Sequence, residues 1–392
     1  MPTPRTVPQL AKRVRLASFA ASPGRPAGRP EVAITKASSV LVREPVSRRA
    51  YEFVSIHTDA GVTGLGEARP IGMAGSSAGA LLDAHLVGQD ARSAQAVAQH
   101  LKTALDDRHA HLAAAVNMAL LDIMGKLSRA PIHKVLGGPT RTKARALAHL
   151  HGSSTAQLTE SLQRSRQSGH RAFLVPLPTP AGVTRGRAFY RNVRQQLDAL
   201  RQAAGERADF VLDPAGRLSP AEATGLAREL ESFHLLWLDE PCGRTTTESL
   251  RKISDQTATP IGLGRHATEN GSFQEWLGED VVDVIRPDVA QMGITGIRKA
   301  AALAETYYVA VAPFHRGGPI ATAAALHLAA SVPNFFIQEV PTPADERDAQ
   351  MRRSLTIEPV EDAQDGFLSL PTAPGLGVTL NEEAVARYRA GA

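Results

Sequence analysis

Hydrophobic and polar positions follow two regimes along the chain. Over 32–42 and again over 51–58 they alternate with strand periodicity, and Asp59-Ala60-Gly61 turns the second run into a third over 62–67. That pattern predicts an antiparallel meander. Over 80–105 the sequence is Ala/Leu-rich and helical, and over 111–127 Val116, Ala119, Leu120, Ile123 and Leu127 keep one helical face. The break Leu136-Gly137-Gly138-Pro139 marks a domain boundary.

Beyond that break, apolar runs near 172–175, 210–213, 235–239, 260–264, 282–285, 309–312 and 335–339 alternate with helical patterns. Helix starts are marked by a capping box with proline at the first helical position, Ser219-Pro220-Ala221-Glu222, and by a second box from Thr245 to Glu248. Repeated strand–helix units of this length predict an α/β fold with a parallel barrel and any active site at the C-terminal ends of its strands. A flat doubly wound sheet is the alternative. No Gly-rich phosphate loop follows the first strand, and carboxylates recur evenly at strand ends, which favours the barrel. The expected organisation is a tail over 1–30, an α+β capping domain from 31–138 with 340–392, and a barrel over 139–339.

Composition narrows the class. With 392 residues, 43% of them apolar, the chain can bury a large barrel and a second domain. The net charge of +5 comes from the first 50 residues, which hold ten Lys or Arg. That arm lacks interleaved aromatics, so it reads as a solvated terminus and no nucleic-acid partner is expected. No apolar run reaches membrane-spanning length and no continuous apolar signal region follows the N-terminus. The single cysteine, Cys242, excludes an internal disulfide and suits a reducing, cytoplasmic setting.

The candidate chemistry sits at the strand ends. Phe210-Val211-Leu212-Asp213 and Leu236-Trp237-Leu238-Asp239 each close an apolar run on a carboxylate, 26 residues apart, so consecutive strands bring Asp213 and Asp239 together at one rim. One further interval reaches Arg265, where a third acid is due.

Gly61 to Glu67, Ala119 to Lys126, Leu136-Gly137-Gly138, Trp237-Leu238-Asp239-Glu240-Pro241, Arg286-Pro287-Asp288, Val332-Pro333-Asn334-Phe335 and Ala373 to Val378 together resemble the enolase superfamily. The resemblance is to its mandelate racemase and muconate lactonizing enzyme branch, nearest in motifs to the mannonate and galactonate (acid-sugar) dehydratases. It implies a modified TIM barrel of the (β/α)7β kind, and proton abstraction beside a carboxylate, with the enediolate held on Mg2+ by three acids. Asp213 stands at the first ligand position and Asp239 at the second; Arg265, which has no lone pair to give a metal, stands at the third. Glu240 or Glu269 is the substitute ligand to consider. The usual base positions fall on Leu174, Ala215 and Phe314, with His315 one place beyond; a register shift would bring it to Asp288. Glu339 matches an acid that meets the substrate carboxylate.

Structural readings stand beside these. Asp213 with Arg265 also reads as a salt bridge closing the barrel, Asp288 as a helix cap, His149 and His151 as rim groups, and Cys242 as inert. The stiff segment from Pro176 through Thr179 to Pro180 shapes the mouth. The resemblance thus implies a lyase or isomerase acting on a hydroxy-carboxylate such as a sugar acid, with a divergent metal site and bases. The alternative is a non-catalytic relative that binds a carboxylate or serves in assembly; either form is expected to be a homo-oligomer.

Overall fold

The computed structural model describes residues 30–70, 76–106, 109, 111–177, 186–267 and 270–390. The basic arm before residue 30, Thr179 and Pro180 of the mouth segment, and Glu269 lie outside them. Strands β1 (Ile34–Arg43), β2 (Ala50–Thr58) and β3 (Thr63–Ala68) form the antiparallel meander, in that order. Four helices follow: α1 (Ser76–Leu86), α2 (Ala94–Ala104), α3 (Leu112–Leu127) and the short α4 (Ile132–Val135). The helical stretch expected over 80–105 is divided between α1 and α2. Gly88 sits at φ +86 and turns the chain, so that Gly88 N and Ala91 N donate to Ile34 O and Val32 O and the segment runs along the start of the meander.

Helix α3 lies under β3 at backbone contact. A methyl on Gly64 would come within 2.1 Å of Ala119 O, and one on Gly66 within 2.0 Å of Ala115 O. Glycine is what lets strand and helix approach so closely.

The barrel then runs β4 (Lys143–His149), α5 (Thr155–Gln167), β5 (Ala172–Pro176), α6 (Arg187–Ala204), β6 (Asp209–Asp213), α7 (Pro220–Glu229), β7 (Trp237–Asp239), α8 (Thr247–Ser254), β8 (Ile261–Leu263), α9 (Asn270–Gly278), β9 (Val284–Ile285), α10 (Val289–Thr306), β10 (Ala310–Val311), α11 (Pro319–Ser331) and β11 (Gln338–Val340). Neighbouring strands are parallel from β4 to β10, and β11 pairs with β4. Closure comes from Val311, whose N–H donates to Asn334 O at 2.9 Å and whose carbonyl accepts from Phe336 N at 2.8 Å. Eight parallel strands and seven intervening helices make a (β/α)7β barrel, and the strands read as continuous apolar runs because both faces are covered. Leu147, Leu174, Val211, Trp237, Val284 and Ile337 fill its interior.

The box at Ser219 caps α7 as expected; the next cap is Thr246, one residue beyond the predicted Thr245, with its hydroxyl accepting from Ser249 N. Past β11 the chain forms α12 (Glu346–Ser354), β12 (Phe367–Ser369) and α13 (Glu382–Arg387). Strand β12 lies antiparallel on β4, while Arg389 bridges Val42 and Ala390 N donates to Leu41 O at 2.7 Å. No helix among the described residues is long and apolar enough to cross a membrane.

Candidate active site

Parallel register carries Asp213, Asp239, Arg265, Arg286 and Glu339 to the same end of the barrel. Arg265 is buried between the two aspartates. Its Nη2 donates to Asp213 Oδ1 at 2.7 Å and its Nε lies 3.2 Å from Asp239 Oδ2. Behind it, fully buried Arg286 donates from Nε to Asp239 Oδ1 at 3.0 Å, from Nη1 to Ala312 O at 2.9 Å, and from Nη2 to Glu339. Asp239 Oδ1 also accepts from Trp237 Nε1, and Asp213 Oδ1 from Ala215 N. Burial alone favours neutral arginine, yet Asp239, Asp213, Glu339 and Glu240 around Arg265 hold it firmly cationic. Glu339 obeys the same balance in mirror image: burial pushes its carboxyl up, but Arg286, with His149 and Arg265, outweighs burial and holds it below the carboxylate range.

This floor does not fit a divalent cation. Mg2+ needs several oxygens converging on one point, and here a guanidinium occupies the space between the two aspartates. Glu240 supplies no substitute, because its Oε1 accepts from Gly264 N and Arg265 N, both at 2.8 Å, and so fastens the turn after β8. Among the described residues no cluster of three or more His, Cys, Asp or Glu is arranged for a metal ion.

Above the floor opens a cavity of ≈ 670 Å³, with Arg265, Phe314, His315 and Glu339 at its base and Arg49, Arg69, His149, His151, His266 and Arg316 around it. Phe314 occupies the wall, its ring centroid 5.4 Å from the Arg265 guanidinium carbon, 5.9 Å from that of Arg286 and 5.8 Å from that of Arg316.

The expected pairing of His315 with Asp288 is not what the structure contains. Asp288 caps α10, accepting from Ala290 N at 2.9 Å, and also meets Arg69 at 3.3 Å; burial pushes its carboxyl up to about 6 against those two contacts. His315, with no exposed surface, turns instead toward α11. Its Nε2 lies 3.3 Å from Thr322 Oγ1, and that hydroxyl donates to Glu361 Oε1. Arg352 grips Glu361 with Nε and Nη2, each at 2.6 Å. The hydrogen count assigns the tautomer: with the Thr322 proton given to the Glu361 carboxylate in preference to Gly318 O at 3.3 Å, the Thr322 oxygen accepts from a protonated His315 Nε2, which leaves Nδ1 as a bare acceptor. That Nδ1 is buried without a hydrogen-bond partner among the described residues, on a residue that lines the cavity. Burial and Arg352 push the imidazole down to about 4, so it is neutral at pH 7.

The remaining candidates have plainer places. His149 lies 3.5 Å from Glu339 Oε1 and tilts against His151, which burial and His149 push down to about 4. Cys242 is buried, donates to Arg244 O at 3.0 Å, and has its thiol pushed up by burial. Leu174 is barrel core. Sequence reasoning missed the roles of Arg286, Thr322, Arg352 and Glu361. Arg286 follows a strand end in phase with Asp239 and was open to the same argument; Glu361 lies beyond the barrel, where no periodicity points to it.

Comparison with known proteins bears on this geometry. Residues 30–137 match the family profile described as mandelate racemase / muconate lactonizing enzyme, N-terminal domain, and residues 157–384 match the enolase C-terminal domain-like profile. A D-galactonate dehydratase family member, ManD, of Chromohalobacter salexigens is 31% identical over 377 residues, covering 87% of this chain and 92% of that protein. A D-mannonate dehydratase of Sphingomonas sp. is 29% identical, covering 87% and 91%. Among solved structures, a mandelate racemase/muconate lactonizing enzyme-like protein from Rubrobacter xylanophilus superposes with TM-score 0.81 at 23% identity, over 93% of this chain and 98% of that one. A putative dehydratase from Mesorhizobium loti superposes with TM-score 0.80 at 25% identity, over 91% and 98%.

Proposed function

The chain belongs to the mandelate racemase and muconate lactonizing enzyme branch of the enolase superfamily, and from that premise we propose that it is a lyase acting on a hydroxy-carboxylate of the sugar-acid class without a divalent cation. Arg265, backed by Arg286, faces the substrate carboxylate and takes up part of the charge that develops on it when the adjacent carbon loses its proton. His315 Nδ1 receives that proton. The imidazolium so formed then protonates the hydroxyl on the next carbon, which departs as water and leaves an enol that tautomerises to the keto acid. Thr322 and Glu361 act as positioning residues by holding the His315 tautomer. The observation that carries this reading is the buried, unpartnered Nδ1 of His315, a residue that lines the same cavity as Arg265. A guanidinium polarises a carboxylate less than a dication does, and an imidazole held near 4 is a weak base, so turnover is slow.

The test is a panel of sugar acids incubated with chelator-treated protein, with keto-acid formation followed as the semicarbazone. Turnover is expected to be indifferent to chelator or added Mg2+, and to vanish in His315→Asn. Thr322→Val should lower kcat about 10- to 100-fold with little change in KM, and Thr322→Ser should restore it. Turnover that appears only with Mg2+, or survives His315→Asn, overturns the reading.

A second reading, a non-catalytic carboxylate-binding relative, is favoured by one observation: the floor carboxylates are already engaged by Arg265, Arg286 or backbone N–H groups. Calorimetric binding of a sugar acid without turnover supports it. We also propose the division into a cap of 31–138 with 340–392 and a barrel of 139–339; the contacts of 389–390 with β1 support it.

A further inference from the structure

The mouth of the cavity, unlike its acid-rich floor, carries unmatched positive charge. Among the described residues Glu339 is the only acid on the cavity lining, and Arg286 already engages it. At the floor Arg265 and Arg286 are more than matched by Asp213, Asp239, Glu240 and Glu339, so the surplus is confined to the mouth. Around the mouth stand three more guanidiniums, Arg49, Arg69 and Arg316, and of these Arg69 meets Asp288. Three positive charges less one negative leave an excess of two. Arg49 adds a second kind of observation, for its Nη1 is buried and finds no hydrogen-bond partner among the described residues. A buried, unspent guanidinium donor on a residue that lines a cavity is costly unless a ligand completes it.

We infer that the ligand carries, besides the carboxylate that meets Arg265, a phosphate monoester at its far end, held by Arg49, Arg69 and Arg316. Charge decides between the candidates. A second carboxylate brings one negative charge and leaves the mouth at about plus one, whereas a phosphate monoester brings about minus two with three acceptor oxygens and closes the balance. Guanidinium forks match phosphate oxygens in pairs, and an excess of positive charge at a mouth also draws such anions in. The inference rests on the reading that the mouth takes a hydroxy-carboxylate, but its readout is binding and does not require turnover.

Calorimetry on the full chain with D-gluconate, D-glucarate and 6-phospho-D-gluconate separates the possibilities. The phosphate ester is expected to bind at least about tenfold more tightly than either of the others, with an advantage that shrinks as salt is raised. Arg49→Gln combined with Arg316→Gln should abolish that advantage while leaving gluconate affinity within about twofold; circular dichroism checks that the variant is folded. Equal affinity for gluconate and its phosphate, glucarate binding as well as the phosphate ester, an advantage that survives the double variant, or no phosphate-ester binding at millimolar concentration each overturns it. Tight phosphate-ester binding with no product formed leaves this inference standing and removes the lyase reading.

Discussion

Arg265 is held where charge, not size, decides what the floor can accept. Exchanging it for a carboxylate, Arg265→Glu, changes the local charge by two units and restores three acids on successive strands. Calorimetric titration with Mg2+ should then show binding at least about tenfold tighter in the variant than in the wild type. Equal affinity in the two proteins would mean that another acid, such as Glu269, supplies the third oxygen. How much of this site is legible in the sequence depends on what kind of pattern holds each residue in place. Asp213, Asp239 and Arg265 fall at equal intervals at the ends of consecutive strands, so their meeting at one rim follows from the repeat itself. His315 is different. The sequence singles it out as the imidazole beside the vacated base position, but its partner depends on side-chain direction: the ring points to Thr322 on α11 and through it to Glu361, 46 residues further on, while Asp288 is used up as a helix cap. No spacing rule reaches across that distance.

Strands and helices are more legible than contacts, because periodicity is local and burial enforces it. The apolar runs ending at Asp213 and Asp239 are strands because helices cover them on one side and the packed interior on the other. The break within 80–105 is less legible: alanine-rich composition is compatible with one helix or two, and the break is set by Gly88 and by bonds to residues at the start of the meander, more than about fifty positions earlier. The seam between β3 and α3 gives a prediction at this scale. A methyl group at Gly66 has no room against Ala115 O, so Gly66→Ala must lift the strand from the helix. We expect a loss of about 1–3 kcal/mol, read as a lower midpoint in urea denaturation with an unchanged slope. Gly61, whose Cβ would meet open space, is not an equivalent control, since its φ of +71 penalises any side chain. Gly278 meets neither obstacle, and Gly278→Ala should be nearly neutral.

Over the whole molecule the polar groups between cap and barrel tie stability to acidity. His327 on α11 stacks on His133 of α4, with Nδ1 atoms 3.1 Å apart, and its Nε2 lies 3.1 Å from Leu376 O. Burial pushes His327 down to about 4. A histidine lowered in the folded state takes up fewer protons than the unfolded chain, so its contribution is intact above about 6.5 and is lost as pH falls toward 4. Between pH 7 and pH 5 that loss is roughly 2 kcal/mol. In His327→Gln the fall in unfolding free energy over this interval should shrink by about that amount; an unchanged fall would show that the imidazole titrates normally. Glu67, pushed up to about 7 by burial although it accepts from Gly318 N and Ala321 N, works in the opposite sense, losing stability as pH rises from about 4.5 to 7. The guanidinium at the barrel floor has a consequence at this scale too. A cation tethered to the backbone cannot be diluted away, so the balance of charge under the cavity is the same in every copy of the protein at every metal concentration. A metal-loaded floor is occupied by mass action, with a population that follows supply; this one is complete as soon as the chain has folded.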